Sequence, residues 1–434
     1  MRTDNPQAVA STVRGRNFGA LWAGTAATNL ADGVVKLTLP LVALSLTDSP
    51  ALVAGTTLAN TLPWLLFSLP AGALADRVDR RHLIMLMAAV RVVALTALVG
   101  GLLLGALPLA GLYAGALVLG TAEVFADTTR MTIIPMVVPR NRMESAFAKL
   151  TATESVANEF AGPPLGGLLA AAGLAVALGA GGLGYAATLV ALMVMTGSYR
   201  SNRPPDTARP ANFRADIAEG VRYVWRERIL RTFLLASSVA AACWAAWTAV
   251  IVVYAVAPGP MGLSPSAYGL LLGALGVGGV AGAAAAPVLT RRLGRKITLT
   301  VAMAGFALLL AGPALATSPA VVAATTFLGG AGTGVWNVTY VSLRALVVPD
   351  EMLGRYSGVS RLTSWGSMPL GALAAGVAAE LFGVRVVFWG GTILCLVVLL
   401  TTLRTVMSAE FRHLEARAAA PPAPATPHAE ATSD

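Results

Sequence analysis

The chain has 434 residues, 56% of them hydrophobic and only 12% charged, about half the charged share of an ordinary soluble protein. Its formal net charge is +10. That excess basicity would suit a nucleic-acid surface, but a mean hydropathy of +0.71 excludes a soluble basic face and points to a polytopic membrane protein.

Apolar runs long enough to cross about 30 Å of hydrocarbon as helices fall near 18–46, 51–75, 83–105, 109–130, 146–170, 174–197, 231–256, 266–289, 297–316, 320–346, 356–379 and 384–404. None alternates polar with apolar residues, which argues against a transmembrane barrel. The runs are numbered here as segments 1–12. Segment 1 carries Asp32 about 15 residues in, roughly 22 Å deep at 1.5 Å per residue, with Lys36 one turn further on. Two readings stand for Asp32. It pairs locally with a snorkelling Lys36, or, with no obligatory partner on another helix, it carries protons or substrate.

Segment 3 holds Arg91, and segment 4 places Glu123, Asp127 and Arg130 on one helical face. Arg91 and Glu123 each stand about 16 residues from the turn near Leu107, which by helical rise sets them at one depth. This predicts a buried Arg91–Glu123 pair and leaves Asp127 to Arg130. Segment 5 presents Glu154 and Asn158 on one face, with Glu159 turned about 140° away, and then reads GPPLGG at 162–167. Glu154, near mid-membrane, is either a proton carrier or a hydrogen-bonded structural acid.

A polar linker at 199–230 follows, ending in the amphipathic run FRADIAEGVRYVWRERI, which is predicted to lie at the membrane surface. Segments 7, 8 and 9 have no acid or base in their interiors. They offer Trp244, Trp247, Thr248 and Tyr254, and segment 10 adds Trp336, Asn337 and Tyr340. Aromatics with a few polar groups suit an amphipathic organic ligand, including a cation over a ring face; interfacial belts use the same residues. Cys243 and Cys395 lie inside apolar runs and read as packing thiols. The Pro/Ala-rich tail 406–434 is predicted to be disordered.

Basic residues crowd the even-numbered loops: Arg77, Arg80 and Arg81; Arg140 and Arg142; the arginines of the linker; Arg291, Arg292, Arg295 and Lys296. The odd-numbered loops hold only Arg385. By the positive-inside rule both termini are expected in the cytoplasm of a multi-pass protein of the cell (plasma or inner) membrane. Segments 1–6 and 7–12 also repeat one another. GALADRVDRR at 72–81 returns as TRRLGRK, 215 residues later; VVP at 137–139 returns at 347–349; Pro164-Leu165-Gly166 returns as Pro369-Leu370-Gly371. Six helices per repeat keep both halves in one orientation, related by a pseudo-two-fold axis along the membrane normal. The expected organisation is a first half at 1–198, the linker at 199–230, a second half at 231–405 and the tail at 406–434.

These motifs resemble the major facilitator superfamily, over about residues 17–405. GALADRVDRR is similar to its G-x-x-x-D-R-x-G-R-R/K motif, with Gly72, Asp76, Arg77, Arg80 and Arg81 in matching positions and Asp79 where the family usually carries Gly. The resemblance implies an all-α fold of twelve transmembrane helices and a cytoplasmic latch in which the aspartate meets a helix N-terminus of the opposite half. GPPLGG resembles the G-P-x-x-G-G motif of antiporters, through Gly162, Pro163, Gly166 and Gly167. The stretches NLADGVVKLTLPLVALSLT and EVFADTTR look most like the branch of macrolide, enterobactin and multidrug exporters. Because segments 1, 4, 7 and 10 line the cavity in that family, Trp247, Trp336, Asn337 and Tyr340 become the expected substrate-cavity residues.

No catalytic constellation accompanies them. His82, His413 and His428 lie in a loop and the tail, which argues against a histidine metal site or triad. The G-x-G-x-x-A match at 276–281 sits inside an apolar helix and reads as packing, and no Gly-x4-Gly-Lys-Ser/Thr loop provides an ATPase. The expectation is a monomeric, cofactor-free, proton-coupled antiporter exporting small amphipathic compounds such as drugs, macrolides or siderophores. Its partners would be the substrate, protons and the lipid bilayer, with no nucleic acid and no metal. Proton coupling is expected at Asp32 and Glu154, with Asp127 and Glu123 beside them. The alternatives are an importer or a lysophospholipid translocator on the same fold; a membrane-embedded enzyme or sensor would need polar clusters that are missing.

Overall fold

The computed structural model describes residues 6–200, 213–348 and 350–408, so nearly all of the expected tail and the turn-rich part of the linker lie outside the described residues. Along the first half run α1 (Pro6–Leu46), α2 (Pro50–Arg77), α3 (Arg80–Leu103), α4 (Leu109–Val137), α5 (Met143–Glu154), α6 (Gly162–Ala172) and α7 (Leu174–Met193). A π-helical turn, Ser155–Ala161, joins α5 to α6 as one interrupted span. The linker contributes α8 (Phe213–Arg226). The second half follows as α9 (Arg228–Ala255), α10 (Pro265–Leu315), α11 (Pro319–Val347), α12 (Asp350–Phe382) and α13 (Val384–Val406). At 51 residues α10 is long enough for two spans, and Gly294 divides it at φ 79°, ψ 158°. Counting α5–α6 once and α10 twice gives the twelve expected spans.

The two halves begin their second spans alike. Ser49 caps α2, accepting from the Leu52 N–H with Pro50 at the first helical position. Ser264 caps α10, accepting from the Ala267 N–H with Pro265 next. Both satisfy an otherwise orphaned donor, and the prolines cost nothing there because their missing N–H would be unpaired anyway. At the far ends of these spans the halves turn differently. Gly294 takes the left-handed region, whereas Asp79, in the corresponding place, stays extended at φ −68° and caps α3 with its carboxylate. The first-half turn therefore needs no glycine, because an acid does the capping.

Asp79 also accepts from the Tyr199 N–H at 2.9 Å and the Ser198 hydroxyl at 3.3 Å, tying the loop between α2 and α3 to the segment that follows α7. Burial pushes its carboxyl up, but the N–H donors of Tyr199, His82 and Arg81, with His82 itself alongside, hold it below its ordinary value. Such a group stabilises the folded chain above its unfolded pKa, and that contribution is lost as pH falls through the folded pKa. Asp79→Ala is expected to cost about 1 kcal/mol in thermal or denaturant unfolding. Gly294→Ala is expected to cost about 1–2 kcal/mol by forcing a Cβ into the left-handed region.

Within the first half α1 packs on α6 and α7, α2 on α4, and α3 on α4 and α7; in the second, α9 packs on α12 and α13, and α10 on α11. The sequence repeat has a packing equivalent. Gly166 of α6 lies against the Val34 backbone of α1, and Gly371 of α12 lies against the Ala242 backbone of α9. Two seams join the halves, α2 with α12 and α6 with α10. The linker helix α8 sets Tyr223 and Val224 against Leu230, Leu234, Val348 and Tyr356. The second half therefore takes part of its apolar face, while Trp225 stays exposed.

Candidate functional site

Seven ionisable side chains gather between α1, α3, α4 and α5, and the pairing differs from the sequence expectation. Arg91 Nη1 lies 3.2 Å from Asp32 Oδ1, with both side chains almost wholly buried, 2% and 6% exposed. Tyr185 of α7 donates to the same carboxylate oxygen at 2.6 Å, and its ring carries the guanidinium 4.9 Å from its centroid. Lys36 instead reaches Glu123 at 3.0 Å. The expected Arg91–Glu123 pair is thus replaced by two crossed pairs, Arg91–Asp32 and Lys36–Glu123. The premise that Asp32 lacks a partner on another helix is likewise corrected. Equal depth on a hairpin set Arg91 and Glu123 level, but α1 packs against α7 and α4 and brings both an acid and a base of its own to that level.

Deeper towards the basic-loop face, Arg130 Nη2 lies 3.1 Å from Asp127, as the helical spacing suggested, and 3.4 Å from Glu154. One guanidinium is shared by two carboxylates, and the Glu154 side chain is 39% exposed. Within the group, Asp32, Glu123, Asp127 and Glu154 face Lys36, Arg91 and Arg130, one carboxylate in excess. Asn158 donates to Asn29 of α1 at 3.4 Å, and Trp22 donates to Thr153 at 2.7 Å, so α1 and α5 are stitched beside the cluster.

GPPLGG closes this wall of the site and meets the other half. Pro163 and Pro164 carry no N–H, so the carbonyls of Glu159 and Phe160 lose their regular helical donors, immediately after the π-helical turn. A Cβ on Gly162 would fall 2.6 Å from Gly33 Cα of α1, and one on Gly167 would fall 2.6 Å from the Pro265 carbonyl oxygen of α10. Gly273 and Gly276 of α10 receive Pro164 and the Glu159 backbone. Glu159 consequently sits beside Gly279, facing the second half.

The loop 2–3 residues are engaged within their own half. Arg80 bonds Asp76 at 3.1 Å, Thr132 at 3.0 Å and the Tyr199 carbonyl, and Arg81 donates to the Leu192 and Met193 carbonyls at the end of α7. A cation at a helix C-terminus is favourably placed. Asp76 is 69% exposed, Arg77 is exposed, and Gly72 faces Thr128 of α4.

The aromatic residues divide. Trp247 is completely buried among α9 neighbours and Trp244, so it lines no opening in this conformation. Trp336 and Tyr340 stack at 5.7 Å and lean on Phe233, and the Tyr340 hydroxyl is bonded to Tyr356 at 2.6 Å; that cluster is a packing unit of the second half. Asn337 is exposed. The seam between halves carries an aromatic pair that sequence reading overlooked: Trp64 of α2 meets Trp365 of α12 with centroids 4.1 Å apart, and Arg361 lies over the Trp64 ring. Arg361 was legible as the lone base inside segment 11; Tyr185 stood in a Gly/Ala-rich run without a signal. A cavity of about 630 Å³ opens at the short-loop face between Leu44, Asp48, Tyr254, Pro260, Phe382 and Arg385, remote from the charge cluster.

Residues 8–430 match the family described as transmembrane secretion effector. The multidrug efflux pump Tap of Mycolicibacterium fortuitum is 27% identical over 401 residues, covering 86% of this chain and 90% of that protein. The pump of the same name in Mycobacterium tuberculosis is 27% identical over 373 residues, 82% of this chain and 85% of its own. Among solved structures, the nucleoside transporter NupG superposes with a TM-score of 0.72 at 11% identity, over 89% of this chain and 99% of that one. A bacterial homologue of the iron transporter ferroportin in an inward-facing state gives 0.70 at 15% identity, over 92% and 99%. These two likenesses speak for the fold.

Proposed function

The chain belongs to the transmembrane secretion effector family of the major facilitator superfamily, and from that membership we propose that this membrane transporter is a proton-coupled exporter of small amphipathic compounds. The observation that carries the coupling is the unbalanced charge cluster, in which Glu154 and Asp127 compete for Arg130. Two carboxylates on one buried guanidinium leave one negative charge uncompensated, and an ionisable excess within a membrane span is the kind of group that exchanges with protons. Glu154, the more exposed partner at the longer distance, is the group that takes it. Asp32 holds Arg91 and supports the site from behind.

Export is the direction supported by the resemblance of the chain to efflux pumps over most of its length. With the basic loops in the cytoplasm, the cross-half contacts of Glu380 with Ser49 and of Gly167 with Pro265 lie towards the short-loop ends, which suits a carrier that loads substrate from inside. Protonation of Glu154 would free Arg130 to pair fully with Asp127, so that one local charge event biases two packings of the halves.

Proteoliposomes test the assignment. Substrate-driven proton flux is expected to disappear in Glu154→Gln and in Asp127→Asn, while substrate binding persists in both. Full flux in both variants would overturn it. Everted vesicles settle direction: an exporter accumulates substrate inside them when a proton gradient is imposed.

A further inference from the structure

Glu380, in the last turn of α12, reaches across the seam to the start of α2. Its Oε2 accepts from the Ser49 hydroxyl at 2.7 Å and from the Ala51 N–H at 3.2 Å. Ala51 is the second residue of α2, where a backbone N–H has no acceptor within its own helix. An acid there also meets the positive end of the helix dipole. Gly376, one turn earlier on α12, packs on Ala51 and Ala54, so the carboxylate is delivered by a close backbone approach and not by a long free side chain. None of these bonds belongs to the internal hydrogen bonding of either half.

The other end of the same helix pair is built in the opposite sense. Asp76 stands at the C-terminal end of α2 on the basic-loop face, where α12 begins at Asp350. Each helix of the seam thus carries an acid near its C-terminus and presents its N-terminus on the face where its partner carries one. In this conformation the Glu380 contact is made, while Asp76 is turned back to Arg80 and largely exposed.

We infer that Glu380 is the gate residue of the short-loop face: its cap on α2 holds the halves together there, and breaking it accompanies opening of that face for substrate release. The two acids then act in alternation on one helix pair, and only one can be seated at a time because the halves rock about the middle of the seam. The release role rests on the transport reading; the conformational role does not.

The test uses the full chain in lipid nanodiscs, with spin labels on cysteines replacing Leu46 and Phe382, exposed residues of opposite halves at this face; Cys243 and Cys395 are buried. Glu380→Ala is expected to raise the ratio of long to short label distances about two- to fivefold, as for loss of an exposed, solvent-screened charged contact. Glu380→Gln, which keeps an acceptor without the charge, should raise it less, and Ser49→Ala should also fall between. Unchanged distances in Glu380→Ala would overturn the inference, and so would a drop in thermal stability without a distance shift. Uptake of a fluorescent amphipathic cation by sealed proteoliposomes of the same variants reads the exporter proposal separately. A wild type that transports nothing, together with a shifted Glu380→Ala, removes that proposal and leaves the gate standing.

Discussion

Asp32→Asn is expected to destabilise the folded protein by about 3–5 kcal/mol, the cost of leaving a buried charge without its counter-ion. Arg91 is 2% exposed, and Asp32 is the acid that bonds it; its Nε and Nη2 atoms are buried without partners already. Asn would keep an amide oxygen to accept from the Tyr185 hydroxyl but no charge to offset the guanidinium, which would be left with the Tyr185 ring face, worth about 2 kcal/mol when desolvated. The expected result is a marked fall in the thermal unfolding midpoint in detergent, with lower yield of folded protein. Asp32→Leu combined with Arg91→Leu should recover most of that loss, because replacing both partners by apolar groups removes the desolvation cost along with the attraction. A proton carrier at this position would behave in the opposite way: Asp32→Asn would fold normally and lose only coupling. A stable, uncoupled Asp32→Asn would therefore return Asp32 to the proton path.

How far the sequence reached depends on the range of the interaction. Span number, repeat and loop charge follow from hydropathy and local counting, and the fold bears out the helical architecture down to paired starts at Ser49 and Ser264. Asp127–Arg130 was legible too, because both residues sit on one helix at a spacing that fixes their approach. Arg91–Asp32 and Lys36–Glu123 were not. Choosing between two acids for one arginine requires knowing which helices are neighbours and how each is rotated, and neither quantity is contained in the period of a single helix. The aromatic residues failed for a related reason. Trp247 carries the composition of a ligand-binding ring, yet the packing of its neighbours buries it completely. GPPLGG resembles an antiporter motif in sequence, but that it serves α1 through Gly162 and α10 through Gly167 emerges only when both helices are in place.

That division of labour within one motif leads to the other large effect. Gly167→Val is expected to reduce transport at least tenfold, roughly the loss that follows when the short-loop-closed state falls from dominant to minor, with little loss of stability. A Cβ on Gly167 would lie 2.6 Å from the Pro265 carbonyl oxygen and 2.9 Å from Gly269 Cα. Both are backbone atoms of the opposite half and cannot rotate away. The clash therefore penalises the approach of α6 to α10 without disturbing either half internally. Gly162→Ala strikes Gly33 of its own half, so its penalty should fall on folding instead. The measurement is a pair of readouts on both variants, label distance across the short-loop face and thermal midpoint. Gly167→Val should lengthen the distance and hold the midpoint, whereas Gly162→Ala should lower the midpoint and hold the distance. If Gly167→Val closed normally, the α6–α10 seam would have to slide rather than part during transport, and a rocking motion about that seam would be ruled out.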